Sequence, residues 1–344
     1  MAEKMKAVGL YEYLPADNPK SLQDVEVDKP SAAGRDLLVE IKAVSVNPVD
    51  TKVRAPKEGQ EDEPKILGWD ASGIVRETGS EVTMFQPGDE VYYAGAVNRP
   101  GSNSEYHLVD ERIVGRKPSA LSFSEAAAVP LTTITAWEAL FERMNIPRDK
   151  EENKDRSILM IGAAGGVGSI AVQLAAEAGL TVIGTASRKE TEEWTRSHGA
   201  DYVINHYENF REQLEKHGFQ DVDYIFCMNA TETHWESMSD VIKPQGKICT
   251  IVEAKENLNM NLIKNKSVSF LWEFMFTRPV YETEDMIRQH ELLQEASQMF
   301  DDGTLKTTVT KKLSGLHGEN MRKAHQILEE GRMIGKLVVE VQTQ

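Results

Sequence analysis

Cysteine is nearly absent: 344 residues contain two, Cys227 and Cys249, and both sit in apolar runs, DYIFCM and GKICTIV. This excludes a framework of secreted disulfides and the paired spacings of a zinc knuckle, and makes a reduced, cytoplasmic protein the simplest expectation. Basic residues are also scarce, 39 Lys and Arg against 55 Asp and Glu, for a formal net charge of -16. Attraction to phosphate backbones or anionic lipid needs clustered Lys and Arg, so neither nucleic acid nor membrane is an expected partner. Long apolar runs are missing too. No stretch approaches the roughly 18 apolar residues of a membrane span, and MAEKMKAVGLYEYL lacks the apolar centre of a signal peptide, so a soluble protein is expected. Internal repeats and low-complexity tails are absent.

What is present is enough chain for two domains, each with an interior of its own. From residue 6 to about 120, short β-branched runs (LLVEIKAVSV, GIVRET, DEVYYAG, EYHLV) are punctuated by glycine and proline, which predicts an all-β unit. At Ser122 the texture changes. In SFSE, Ser122 and Glu125 form a capping box in which each side chain satisfies the other's backbone amide, and an alanine-rich helical stretch follows. From about residue 157 strands alternate with helices, the mark of a parallel sheet with crossover helices. SILMI, LTVIG, DYVIN, VDYIFCM, KICTIV and SVSFLWEF supply the strands. VGSIAVQLAAEAG places Val167, Ile170, Ala171, Leu174, Ala175 and Ala178 on one helical face, and Trp235, Met238, Val241 and Ile242 share a similar spacing. Helices around 283–301 and 319–330 and a terminal strand, GKLVVEVQ, complete the pattern, and β-rich ends around an α/β middle predict that the last segment returns to the first domain. The expected division is residues 1–130, 131–278 and 279–344.

The strongest chemical signal is ILMIGAAGGVGS, glycines that leave a strand and open a helix. There the backbone can approach a pyrophosphate while the helix N-terminus offers free amides and a favourable dipole. Residues 163–168 read A-A-G-G-V-G, so Ala163 departs from the first glycine of the dinucleotide fingerprint. A purely structural glycine turn is the alternative. A fold selective for NAD places an acid about 20 residues on, at the end of the second strand. Here that strand ends LTVIGTASRKE, so Ser187, Arg188 and Lys189 stand where the acid would be. A hydroxyl and cations bind a 2′-phosphate that a carboxylate would repel, so NADP(H) is the expected coenzyme. Against this stands the alternative that Arg188 and Lys189 are a solvated helix start.

GWDASGIVRETGSEVTMFQPGDEVYYAG, AAAVPLTTITAWEAL and GAAGGVG, in this order around a β-rich start and an α/β middle, resemble the medium-chain dehydrogenase/reductase superfamily. The resemblance is closest to its zinc-independent quinone oxidoreductase branch, and covers nearly the whole chain. It implies an α/β protein: a GroES-like β-rich substrate domain joined to a Rossmann domain, a doubly wound parallel sheet, with NADPH in the cleft. Zinc-dependent members carry a catalytic cysteine at the position matched by Asn47 and a histidine-glutamate pair at Trp69 and Asp70. A catalytic zinc needs three protein ligands, which asparagine and tryptophan do not supply, so no zinc is expected. Residue by residue, the resemblance implies coenzyme contacts from Gly165, Gly166, Val167 and Gly168 at the pyrophosphate and from Ser187 and Arg188 at the 2′-phosphate. His206 would lie beside the adenosine phosphate, and Thr135, Asn229, Val252 and Lys336 would line the coenzyme cleft. For each, packing or solvation is the alternative. A homodimer through SVSFLWEF is a further implication.

Without a metal, the charge that grows on the acceptor oxygen must be met by side chains, coenzyme or water, which favours electron-poor acceptors, quinones and α,β-unsaturated carbonyls. The stretch SVNPVDTK reads either as the turn that ends a strand or as a pocket floor. Asn47 can donate an amide hydrogen bond and Lys52 can offer a cation, so these two are the candidate catalytic residues. Lys52 stands where the branch often has tyrosine, and its alternative is a solvated lysine. Asp50 is expected to fix the turn by bonding local amides. An NADPH-binding protein without catalysis, and an alcohol dehydrogenase, are the competing readings.

Overall fold

The computed structural model describes residues 3–341. Met1 and Ala2, part of the segment read above for a signal peptide, and Gln342, the last residue of the expected terminal strand, lie outside the described residues. The chain forms two compact units, one of Met1–Leu131 with Phe276–Gln344 and one of Thr132–Met275. In chain order the strands are β1 (Lys4–Glu12), β2 (Gln23–Asp28), β3 (Asp36–Val46), β4 (Gln60–Ile66), β5 (Ala71–Thr78), β6 (Glu90–Tyr93), β7 (Tyr106–Asp110) and β8 (Val114–Arg116). They continue with β9 (Ser157–Ile161), β10 (Thr181–Thr185), β11 (Tyr202–Ile204), β12 (Val222–Cys227), β13 (Ile242–Thr250), β14 (Ser269–Trp272), β15 (Val309–Ser314) and β16 (Lys336–Glu340).

The first unit is β-rich, as a GroES-like domain requires. One sheet runs β2-β1-β4 and another runs β15-β16-β3-β5-β6-β8, with β7 also paired to β3. Strand β3 carries the long apolar run and is its hub: Leu37, Leu38, Val39, Ile41, Ala43, Val44 and Val46 are all buried. C-terminal strand β16 pairs antiparallel with β3, Leu337 opposite Val46. That register sets Lys336 beside the end of β3.

In SVNPVDTK the chain makes more than a turn. A seven-residue helix spans Pro48–Arg54. Pro48 supplies a helical φ at the first position, where no amide partner is needed, and Asp50 accepts the Asn47 N–H at 2.6 Å. The capping box further on forms as expected, with the Ser122 N–H reaching Glu125 Oε2 at 3.0 Å and the Glu125 N–H reaching Ser122 Oγ at 3.3 Å. The expected helix at 283–301 begins later, at Arg288, because Glu282 turns left-handed with φ 46° and ends a short helix there.

In the second unit all strands are parallel, in the order β11-β10-β9-β12-β13-β14. This is the doubly wound Rossmann arrangement, in which the order of strand addition switches sides between β9 and β12, and ligands of such sheets lie at the carboxyl ends of the strands at that point. Leu159, Ile161, Ile183, Ile225 and Ile248 from the strands pack with Trp235, Met238 and Val241 of the Thr231–Val241 helix. Residues Ile170, Ala171, Leu174 and Ala175 of the Gly166–Glu177 helix are likewise buried. Among the described residues no helix is long and apolar enough to cross a membrane.

Candidate functional site

Strand β9 ends in the glycine loop at the switch point. Gly162 leaves the strand with φ 87°, Gly165 returns its N–H to the Gly162 carbonyl at 3.1 Å, and the Gly166–Glu177 helix begins. A Cβ on Gly168 would stand 2.4 Å from the Gly162 carbonyl oxygen and 2.6 Å from Ala163 Cα, so the first helical turn closes on the loop only because Gly168 has no side chain. The departure at Ala163 has a packing explanation: its methyl is fully buried against β10, where a Cβ at Gly184 would meet it at 3.0 Å. The bare α-carbon of Gly184 makes the room. The half-exposed residues Gly165, Gly166 and Val167 lie at the start of this helix. These residues fit a pyrophosphate, whose charge the free amides and dipole of the helix start would meet.

Around the loop stand the other coenzyme candidates. Asn229, exposed, follows β12, and a Cβ built on Gly162 would lie 3.4 Å from its Cβ. Val252, half-buried beyond β13, accepts the Thr231 hydroxyl at 2.7 Å. Ser187 and Arg188 follow β10, Ser187 exposed and Arg188 half-buried, its guanidinium 3.1 Å from Glu190. His206 follows β11, half-buried, with its ring 4.3 Å from that of Tyr207, and burial lowers its pKa. Strands β10 and β11 are neighbours, so Ser187, Arg188 and His206 share one edge of the sheet's carboxyl end. Thr135 is buried in the Pro130–Trp137 helix. Both cysteines are buried and free, and burial raises Cys227 to about 11 and Cys249 further.

In the first unit Asn47 and Lys336, expected in different roles, meet each other. The Lys336 ammonium donates to Asn47 Oδ1, to Asp70 Oδ2 at 3.1 Å and to the Val46 carbonyl at 3.3 Å. Asn47 turns its amide nitrogen to Asp70 Oδ2 at 3.1 Å, with longer approaches to the carbonyls of Ser45 and Trp69. Asp70 Oδ1 accepts the Leu131 N–H at 3.0 Å. All four of Asn47, Asp50, Asp70 and Lys336 are buried. Burial raises the pKa of Asp70 against the opposing charge of Lys336, and raises Asp50 to about 7 despite the Asn47 N–H and Lys336. One ammonium thus sits near two buried carboxylates. Asp50 fixes the helix start as expected, while Lys52, exposed, projects from the same helix.

The sequence marks Asp70 only as the match to a metal-site glutamate and gives Gly162 no role of its own within the glycine loop. Asp70 lies in the apolar stretch LGWDASG, where a buried acid requires a cation partner, and Gly162 ends an apolar strand. The residues at the metal-ligand positions do not suit a zinc ion. Trp69 is buried with its indole N–H on the Ala96 carbonyl at 3.0 Å, and Lys336 brings a positive charge to Asp70. Among the described residues no group of three or more His, Cys, Asp or Glu is arranged to hold a metal.

Residues 33–137 match the alcohol dehydrogenase GroES-like domain and residues 198–339 the zinc-binding dehydrogenase family. A zinc-type alcohol dehydrogenase-like protein of Staphylococcus epidermidis is 43% identical over 337 residues, 98% of this chain and 100% of its own. The chain belongs to the medium-chain dehydrogenase/reductase superfamily. Within this superfamily, the crystal structure of a putative zinc-dependent alcohol dehydrogenase from Rhizobium etli is similar at 46% identity, with a TM-score of 0.95 and full coverage of both chains. The Escherichia coli quinone oxidoreductase solved with NADPH is similar at 25% identity and a TM-score of 0.81, covering 97% of this chain and 99% of its own. Family membership makes the chain an oxidoreductase.

Proposed function

We propose that this medium-chain dehydrogenase/reductase is an NADPH-dependent, zinc-independent reductase that delivers hydride to a quinone or an α,β-unsaturated carbonyl compound. The observation that carries this reading is the filled metal position: Asn47 and Asp70 are engaged with one another and with the ammonium of Lys336. A site with no Lewis acid favours acceptors that are already electron-poor over the oxidation of simple alcohols. The likeness to a quinone oxidoreductase solved with NADPH points the same way.

When bound, NADPH supplies the hydride. The chain's own part is to hold it and to order the acceptor. Gly165, Gly166, Val167 and Gly168 would meet the pyrophosphate, and Ser187 and Arg188 the 2′-phosphate. The pair of Arg188 with Glu190 is exposed on both sides, 38% and 58% in side-chain terms, so a phosphate can replace the carboxylate with little loss. His206, Asn229, Val252 and Thr135 would complete the coenzyme contacts. Lys52 is the residue near Asn47 whose exposure lets it meet an acceptor oxygen or pass a proton through water. Asn47, with its amide spent on Asp70, would act by shaping the pocket floor more than by donating to substrate.

The test is coenzyme oxidation with NADPH and with NADH against naphthoquinones, 2-alkenals and simple ketones, before and after chelation. Activity with NADPH and conjugated acceptors that survives chelation is expected. Activity that disappears with zinc removal, or that requires NADH, would overturn the reading, and a tight NADPH complex inert to every acceptor would favour a coenzyme-binding protein without catalysis.

A further inference from the structure

The family implies a zinc ligand set, and the residues at its positions disagree with that implication. We infer that the ammonium of Lys336 is a resident cation in the place of the metal, a positioning residue that neutralises Asp70 and fixes the orientation of Asn47, and that it is no ligand of the coenzyme phosphates.

The three N–H bonds of the ammonium face three oxygens: Asn47 Oδ1, Asp70 Oδ2 at 3.1 Å and the Val46 carbonyl at 3.3 Å. A carboxylate, an amide carbonyl and a backbone carbonyl make a set of hard oxygen donors around one positive charge, as a small cation site would. The set is dry. Lys336 is 4% exposed, Asn47 1% and Asp70 0%, so the charges are balanced by one another and not by solvent. The lysine is brought there by backbone and not by a flexible reach: Lys336 opens β16, its N–H is held by the Thr308 carbonyl at 2.8 Å, and its neighbour Leu337 pairs with Val46. Asn47 can take only one amide orientation, oxygen to Lys336 and nitrogen to Asp70. To reach a phosphate, the ammonium would have to abandon a buried carboxylate, at the full cost of leaving that charge uncompensated.

Asp50, Asp70, Asn47 and Lys336 are buried together, and the role of the cation is independent of the acceptor. It is therefore read out by stability and coenzyme affinity, separately from any reductase activity. Lys336→Ala should lower Tm by on the order of 5–15 °C, because it strands Asp70. n-Propylammonium chloride, which restores the missing alkylammonium, should recover part of that loss where sodium chloride of equal ionic strength does not. Lys336→Ala combined with Asp70→Asn should regain most of the loss and be indifferent to the amine. The NADPH Kd of Lys336→Ala, measured by fluorescence titration where the variant is folded, should stay within about threefold of the unsubstituted protein. If Lys336→Ala alone does not fold, Lys336→Gln replaces it in the same comparison, and recovery of folding by Asp70→Asn counts as support. A normal Tm together with a Kd raised tenfold or more would make Lys336 a coenzyme ligand and overturn the inference. So would a loss of stability that neither the amine nor Asp70→Asn relieves.

Discussion

Glu138 and Glu273 meet inside the second unit, both side chains fully buried, with one guanidinium serving the two: Arg143 lies 3.5 Å from Glu138 and 2.9 Å from Glu273. Burial raises the Glu273 pKa first, and the charge of Glu138 raises it further against Arg143. Two buried carboxylates served by one guanidinium favour a protonated Glu273. Cys249 on β13 also lies within the electrostatic reach of Glu273 and Arg143.

The proton has a consequence for stability. Above its ordinary value of 4.5 the unfolded Glu273 is ionised while the folded one keeps its proton, so the folded state binds more protons and stability falls as pH rises toward the folded pKa. Glu273→Gln keeps a hydrogen-bond donor where the proton sits. Its Tm should match the unsubstituted protein near pH 4.5 and exceed it increasingly as pH rises from about 5 to 9. Parallel curves across that range, measured by calorimetry, would contradict a protonated Glu273.

At the glycine loop the relevant contact is backbone to backbone. Gly168→Ala puts a methyl 2.4 Å from the Gly162 carbonyl oxygen, and neither group can swing aside. The loop must open, so NADPH affinity should fall at least about tenfold, or ~1.4 kcal/mol, while far-ultraviolet circular dichroism stays unchanged. Unaltered affinity in a titration would mean that the coenzyme does not use this loop.

Arg188→Ala separates the two coenzymes. A charge-assisted hydrogen bond contributes about 1.5–3 kcal/mol, so NADPH affinity should fall by roughly tenfold to a hundredfold with NADH affinity unchanged. An equal loss for both coenzymes would place Arg188 away from the 2′-phosphate.

The edge strand offers a test of assembly. Among the described residues β14 pairs with β13 alone, and Trp272 and Phe274 are 50% and 52% exposed at its end. An apolar sheet edge is stabilised by pairing with a second copy, so light scattering should find a homodimer. Trp272→Lys should shift it toward monomer at micromolar concentration. A monomeric unsubstituted protein would remove this assembly.

Much of the fold was legible because each local preference agreed with its neighbours. The β-branched run of β3, the Ser122–Glu125 capping box and the buried face of the Gly166–Glu177 helix follow from patterns within a dozen residues, and the glycine loop from its strand and helix. What was not legible depends on distant partners. Lys336 and Asn47 are 289 positions apart, and only the pairing of β16 with β3 reveals that the asparagine is engaged. Ala163 departs from the fingerprint for a reason that lies on another strand, the bare α-carbon of Gly184. In SVNPVDTK the proline suggested a turn, although at the first position of a helix it is compatible with the turns that follow.

The central claim is that hydride passes from NADPH to a conjugated acceptor. Incubating the protein with NADPH carrying deuterium at the transferable C4 position and a 2-alkenal, then locating the label in the product by mass spectrometry and NMR, tests it most directly. Deuterium at the carbon β to the carbonyl, giving the saturated aldehyde, is the predicted result. Deuterium at the carbonyl carbon, giving the unsaturated alcohol, would contradict it and return the protein to alcohol dehydrogenase chemistry.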